Sequence, residues 1–247
     1  MSDIEKNYED FISTVSHELR TPLTSIRGFS QTMLSSWDKL DDENKKKFIK
    51  IIEEQSNRLI HLVENMLSVT KLQTTNNNFI FNELEIKTPI EQIISIIKNQ
   101  YPTRNFEFIY KNSTPNVFVD KDKFQQIMTN LIENGAKYST ENSTIRITTN
   151  FSSCDVKISV TNLGPGIAQE DYERIFTKFA RIDNPLTRKV QGSGLGLYIT
   201  KNLVEKMCGQ ISVTSKPTQT PDLSEITFTL TLPIRNIEEQ ARLKCSQ

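Results

Sequence analysis

Two apolar stripes of coiled-coil spacing, one after the other with a short polar break between them, constrain this chain more than any other feature. In the first, Ile12, Val15, Leu19, Pro22, Ile26, Phe29 and Met33 recur at alternating intervals of three and four. This is a heptad with Ile12, Leu19, Ile26 and Met33 at position a and Val15, Pro22 and Phe29 at position d. In the second, Phe48, Ile52, Gln55, Leu59, Leu62, Met66 and Val69 repeat the seam. The stretch Ser35-Ser36-Trp37-Asp38-Lys39-Leu40-Asp41-Asp42 between them predicts a turn, with Asp41 or Asp42 as N-cap of the second helix. A single hairpin cannot bury both stripes along its length, so two hairpins are expected to pair as a four-helix bundle, making the chain a homodimer. The register runs backward through Tyr8, Glu5 and Met1 as a weaker coil.

Thr74-Thr75-Asn76-Asn77-Asn78 breaks the pattern and reads as a linker. Beyond it, strands and helices mix. A strand is expected over Phe79–Leu84, then a capping box with proline at the first helical position in Thr88-Pro89-Ile90-Glu91. Short strands follow near Phe106–Tyr110 and Val117–Val119, and a helix from about Asp122 to Tyr138. Thr144–Asn150 and Val156–Thr161 look like neighbouring strands, Gly194–Met207 is helical, and Gln210–Ser215 with Glu225–Leu232 form a final hairpin. The order predicts an α/β sandwich with helices on one face of a mixed sheet. The division is thus a helical hairpin over residues 1–73, a linker at 74–78, a sandwich domain over 79–235 and a polar tail at 236–247.

Thirty basic and thirty acidic residues cancel, so no net field favours nucleic acid or an anionic membrane surface as partner. No run approaches the roughly 18 apolar residues of a membrane helix, and no signal peptide opens the chain. Cys154, Cys208 and Cys245 lack metal-type or redox spacing, which suits a reducing cytosol. The expected location is cytoplasmic, as a free protein or as the cytosolic portion of a longer, membrane-anchored sensor.

The segment Ser16-His17-Glu18-Leu19-Arg20-Thr21-Pro22-Leu23 lies on the first stripe. Its heptad puts His17 at position f, on the outer surface, where a core histidine would not sit. Exposure alone fits a merely solvated histidine, and His61 also falls on an outer position. The neighbours of His17 change that reading. Glu18 is placed to take a proton from the imidazole or to orient it, making it a better nucleophile. Thr21 lies one turn on, over the same face, where its hydroxyl would hold a water near a phosphoryl group. Pro22 removes a backbone donor and should bend the helix just past the histidine. This segment resembles the H box of sensor histidine kinases, and the hairpin is similar to their dimerisation and phosphotransfer domain.

Further on, Asn130, Asn134 and Lys137 share one face of a helix, with Glu133 beside it. Such a face is ordinarily just solvated, yet amide oxygens suit Mg2+ and a lysine suits phosphates. The segment Asn130–Ser139 resembles the N box of the same family. That implies Asn134 as magnesium ligand, Asn130 as a neighbour of the triphosphate, Lys137 as a phosphate-binding lysine and Tyr138 as a residue lining the nucleotide. Asn162-Leu163-Gly164-Pro165-Gly166 follows an apolar strand, and its two glycines allow close backbone approach. It resembles the first glycine box, where the family has an aspartate accepting from the adenine amino group. Asn162 stands there instead: its carbonyl can still accept, but its NH2 must face elsewhere. Arg174–Arg181 resembles the F box, with Phe176 and Phe179 anchoring a lid and Arg181 mapping onto an arginine that contacts the γ-phosphate. Gln191-Gly192-Ser193-Gly194-Leu195-Gly196-Leu197 follows no strand, which disfavours a dinucleotide fold. It resembles the second glycine box, whose loop and helix start hold phosphates through backbone N–H groups. The glycine that the family carries before its final strand is replaced by Leu223-Ser224-Glu225-Ile226.

Together these motifs imply a Bergerat-type ATP-binding fold following a dimeric four-helix bundle. They imply ATP with Mg2+, phosphorylation of His17, and transfer to the aspartate of a response-regulator receiver domain, with phosphatase action on that regulator a further expectation. Two rivals are a degenerate kinase acting as a dimeric nucleotide-binding scaffold, favoured by Asn162 and the lost final glycine, and an ATPase of the chaperone or topoisomerase type. The H box on its hairpin opposes the latter.

Overall fold

A computed structural model describes residues 3–73, 79–180, 182 and 192–235; of residues 3–11 and 73 it describes the backbone. The chain divides into two compact units, Met1–Gln73 and Thr74–Gln247. The sequence-expected linker at 74–78 and the tail at 236–247 lie outside the described residues.

The first unit is a helical hairpin of α1 (Asp3–Ser36) and α2 (Asp42–Gln73), joined through a single 3-10 turn at Trp37–Lys39. Asp41 is the cap: its carboxylate accepts from Asn44 N at 2.7 Å, satisfying one of the donors a helix start leaves free. Beyond Ile12 the heptad residues face inward, and Phe29 meets Phe48 at 5.1 Å between ring centroids. Within one hairpin, however, among the described side chains of the two stripes only Pro22, Leu62 and Val69 become buried. Ile12, Leu23, Leu34, Ile49, Ile60, Val63 and Leu67 remain exposed, Leu34 at 84%. An apolar surface of that extent along both helices is what a second hairpin would cover. α1 runs on through Pro22 to Ser36, although proline has no N–H to give the Glu18 carbonyl.

The second unit is a two-layer sandwich. Its main sheet has the order β2-β4-β5-β7-β6, with β2 (Asn105–Ile109) parallel to β4 (Thr144–Phe151) and the other pairings antiparallel. β5 (Asp155–Pro165) and β7 (Leu223–Pro233) pair over their whole length, and β6 (Gln210–Pro217) closes the edge. A separate two-stranded sheet joins β1 (Phe81–Leu84) to β3 (Val117–Asp120). Alternation along β5 sorts the two faces. Val156, Ile158 and Val160 are fully buried, whereas Ser159 and Thr161 pair their hydroxyls with Thr229 and Thr227 on the other face. Three helices complete the unit, α3 (Lys87–Gln100), α4 (Lys121–Tyr138) and α5 (Gly196–Lys206). α4 packs on β5 and lies between α3 and α5, burying Phe124, Ile127, Met128, Leu131 and Ile132 completely. Each such side chain contributes about 1.5–3 kcal/mol through removal from water.

Several local expectations shift. The start of α3 is not capped by Thr88, which lies inside the helix; the Glu85 carboxylate accepts from Lys87 N and from Thr88 N (3.1 Å). A carboxylate with two acceptor oxygens reaches two orphan donors where a hydroxyl reaches one. Those two bonds also help hold the Glu85 carboxyl below its usual range, against the upward push of its burial. β1 begins at Phe81 rather than Phe79, and α5 at Gly196 rather than Gly194. β5 continues through Asn162-Leu163-Gly164-Pro165, so the first glycine box is strand rather than a turn after one.

Candidate functional site

On the hairpin, His17 is exposed, as its heptad position requires. Thr21, one turn on, donates its hydroxyl to the His17 carbonyl at 3.2 Å, and Ser16 donates to Ile12 O at 2.8 Å. These back-bonds brace a turn in which Pro22 leaves a carbonyl unpartnered by its helix. Glu18 points toward α2: its carboxylate accepts from Arg58 at 3.3 Å, with both side chains about four-fifths covered. The partner the structure gives Glu18 is therefore Arg58 rather than the neighbouring imidazole. Arg58 escaped sequence reading because it sits beside a seam residue, Leu59, where a charge reads as solvated flank. His61 is exposed on α2 and faces Glu64 at 3.5 Å.

In the second unit, the last turns of α4 and the glycine loop before α5 close on one another. A Cβ added at Gly192 would lie 3.2 Å from Lys137 Nζ and 3.6 Å from the Tyr138 hydroxyl. One added at Gly196 would collide with the Asn130 amide, so only glycine allows the start of α5 to come this near α4. Asn130 in turn donates from Nδ2 to Thr200 Oγ1 at 2.7 Å, tying the two helices together. Gly194 takes φ +67°, and its α-carbon backs onto Phe179 and Ala180, 2.7–3.0 Å from where a Cβ would stand. Leu195, fully buried, is the residue before the first turn of α5. Asn134 lies half-buried on the face shared by Asn130 and Lys137.

The first glycine box joins from beneath. Leu163 O accepts from Thr140 N at 3.1 Å, just past the end of α4. Gly164 lies so close to the Tyr138 carbonyl that a side chain would collide with it. Asn162, two residues earlier on the helix-facing side of β5, is 3% exposed. At Gly166, an added Cβ would lie 2.7 Å from Ser224 Oγ, and Ser224 itself is paired across β7 with Gly164. The replacement of the family's last glycine is thus absorbed into β7, which begins at Leu223, two residues before the expected Glu225.

Of the F-box aromatics, Phe176 is core, edge-on to Phe228 at 6.4 Å, while Phe179 takes φ 58° and backs the glycine loop. Arg181 and the stretch 183–191, including Gln191, lie outside the described residues.

Two supports of the site have no sequence signature. Arg104 donates from Nε to Ala136 O (3.1 Å) and from Nη2 to Ser139 O (2.9 Å), gathering the carbonyls at the end of α4 just where Lys137 and Tyr138 project. Tyr101 lies near Glu133; burial pushes its phenol up to about 12, with the Glu133 carboxylate adding to the shift, so it stays a neutral hydroxyl. Thr200 could have been found, since it stands one helical turn from Gly196 on the face turned to α4. Among the described residues no three His, Cys, Asp or Glu side chains gather as a metal site. A cation here would have to be met by amide, phosphate and water oxygens, a set that suits Mg2+ and that Asn134 can join.

Residues 8–75 match the model of the His Kinase A (phospho-acceptor) domain, and residues 119–236 that of the histidine kinase-, DNA gyrase B- and HSP90-like ATPase. Signal transduction histidine-protein kinase ArlS of Staphylococcus haemolyticus is 32% identical over 222 residues, covering 89% of this chain and 49% of the relative. Sensor histidine kinase WalK of Bacillus subtilis is 32% identical over 247 residues, covering 96% of this chain and 38% of the relative. The chain thus spans about half the length, or less, of these curated relatives. Among solved structures, histidine kinase ThkA in complex with response regulator protein TrrA superposes with a TM-score of 0.70 at 25% identity, over 92% of this chain and 61% of that one. No helix among the described residues is long and apolar enough to cross a membrane.

Proposed function

The chain belongs to the sensor histidine kinases, as a phospho-acceptor hairpin followed by an ATPase domain, and from that premise we propose that it transfers the γ-phosphoryl group of ATP to its own His17 and thence to the aspartate of a response regulator. The observation that carries this reading is the convergence of Asn130, Lys137 and Tyr138 on Gly192 and Gly196, which makes a phosphate cradle of the glycine loop and α5. Backbone N–H groups and the dipole at the start of α5 face such a cradle, and the Lys137 ammonium adds a full charge. We assign residues 1–73 to phosphotransfer and dimerisation and 79–235 to nucleotide binding. The exposed apolar residues of the hairpin support the homodimer.

In the transfer, a ring nitrogen of His17 attacks the γ-phosphorus. The N–P bond forms as the P–O bond to ADP breaks, and the proton on the opposite ring nitrogen passes to Glu18 as its carboxylate turns from Arg58 to the imidazole. Arg181 is assigned to steady the charge that develops on the departing and transferring oxygens. Mg2+, when bound through Asn134, would neutralise phosphate charge. ThkA, at 25% identity, is seen with a response regulator, which supports a receiver domain as the acceptor for this chain also.

Incubation with ATP labelled at the γ-phosphate tests the proposal. The protein should take up label that survives alkali and is lost in acid, as a phosphohistidine does. No label would leave the scaffold reading in its place, and label stable in acid would move the acceptor from a histidine to a hydroxyl.

Thr21 favours a second activity at the same histidine, removal of phosphate from the regulator. Its hydroxyl stands one turn from His17 and bonds only a backbone carbonyl, so it can turn to a water. Thr21→Ala should slow dephosphorylation of the regulator on the order of a hundred-fold while slowing His17 labelling far less. Equal loss of both rates would make Thr21 a brace for the proline turn.

A further inference from the structure

Among the described residues, one fully buried side-chain nitrogen or oxygen has no hydrogen-bond partner, and it is Asn162 Nδ2. Buried donors are almost always satisfied, so an orphan of this kind calls for an acceptor from outside the chain. Its position says what that acceptor belongs to. Asn162 shares the helix-facing side of β5 with Gly164, where an added Cβ would stand 3.2 Å from Asn162 Nδ2 and against the Tyr138 carbonyl. Tyr138 in turn borders Gly192 beside Lys137. The amide therefore stands beside Tyr138 on the side of β5 turned to the helices, next to the residues that border the glycine loop.

We propose that Asn162 makes this a purine pocket that accepts both 6-amino and 6-oxo bases, an inference that rests on the nucleotide-binding reading above. A 6-aminopurine offers a donor at its amino group and an acceptor at ring N1. A 6-oxopurine offers the reverse, an acceptor at its carbonyl and a donor at N1–H. An asparagine amide carries one donor group and one acceptor, and a half-turn about its last side-chain torsion exchanges them. It therefore completes two hydrogen bonds with either base. A carboxylate, which only accepts, meets the amino group but turns a lone pair toward N1, and it opposes a 6-carbonyl outright. An aspartate at this position would thus select adenine by repulsion as well as attraction, and Asn162 removes the repulsion.

Calorimetry on the full chain with Mg2+ tests this, using ADP and IDP because neither can transfer a γ-phosphoryl group. IDP differs at the six-position without the extra amino group of guanine. The two should bind within about ten-fold of each other, and Asn162→Asp should widen the ratio to about a hundred-fold or more in favour of ADP. Binding of ADP with IDP weaker by more than about a hundred-fold in the unaltered chain would overturn the inference, as would an Asn162→Asp ratio no different from the original. Because the two ligands are compared on the unaltered chain, a variant that fails to fold leaves the test standing. If neither nucleotide binds, the failure belongs to the nucleotide-binding reading itself.

Discussion

His17→Gln will fold, dimerise and bind nucleotide as the parent chain does, and will take up no phosphate from labelled ATP. Glutamine is close to histidine in size, is a better helix former, and replaces an exposed side chain, so the stability change should stay within about 0.5 kcal/mol. The nucleotide cradle is built from residues of the other unit, chiefly 130–166 and 192–200, so nucleotide affinity has no reason to move. What is lost is the ring nitrogen lone pair that forms the N–P bond, and an amide nitrogen does not replace it. Circular dichroism, light scattering and calorimetry on the variant separate loss of chemistry from loss of structure. Undiminished labelling would move the acceptor elsewhere. His61 would then be examined first, being the other histidine, exposed on α2 and paired only with Glu64 at the surface.

Much of the hairpin is legible in the sequence because its information is local and periodic. A heptad names the inward face of each helix, and Asp41 three residues before Asn44 names a cap. The same locality explains the misplacements in the second unit. Thr88-Pro89-Ile90-Glu91 satisfies the capping pattern, but the helix starts earlier, where Glu85 reaches the N–H groups of Lys87 and Thr88 with its two oxygens. The end of β5 is decided by its partner: Asn162 to Pro165 stay in strand because Leu223 to Ile226 of β7, some sixty residues on, pair with them. Glycine and proline in that stretch read as a turn when only their neighbours are considered. The parallel pairing of β2 with β4 and the separate β1–β3 pair are likewise set by contacts far apart in the chain.

The candidate site divides along the same line. Residue types with a distinctive chemistry at helical or glycine-loop spacing, such as Asn130, Lys137, Gly192 and Gly196, converge as their patterns suggest. Their supports do not announce themselves. Arg104 follows an unremarkable Tyr101-Pro102-Thr103, and its meaning comes from two carbonyls thirty-odd residues later. Arg58 looks like surface charge until Glu18 is found across the hairpin from it. Asn162 differs from both. The sequence marks it as a departure from the family's aspartate, and the structure adds that its amide nitrogen is buried and unsatisfied, which turns a substitution into a statement about the ligand.

Leu59→Asp will separate the dimer, and by light scattering the variant will run as monomers or as an unfolded hairpin. Leu59 is half-buried on α2, flanked along the seam by Ile52 and by Leu62, which is 3% exposed. In one hairpin it retains some contact with water; in a bundle of two it is enclosed. An ionised carboxylate enclosed there has no cation facing it among the seam residues Ile52, Gln55, Leu62 and Met66, and its transfer from water costs several kcal/mol. The cost falls twice in a symmetric dimer, once for each chain. Association resting on Ile49, Ile60, Val63 and Leu67, all more than two-fifths exposed in the single hairpin, does not offset a penalty of that size. Leu59→Met, which conserves volume and apolarity, should cost less than about 1.5 kcal/mol and leave the dimer intact. The pair of variants therefore distinguishes polarity at the seam from mere alteration of it. An undiminished dimer in Leu59→Asp would mean that the two chains meet through a surface other than the heptad seam, such as the apolar residues left open along α1 and α2.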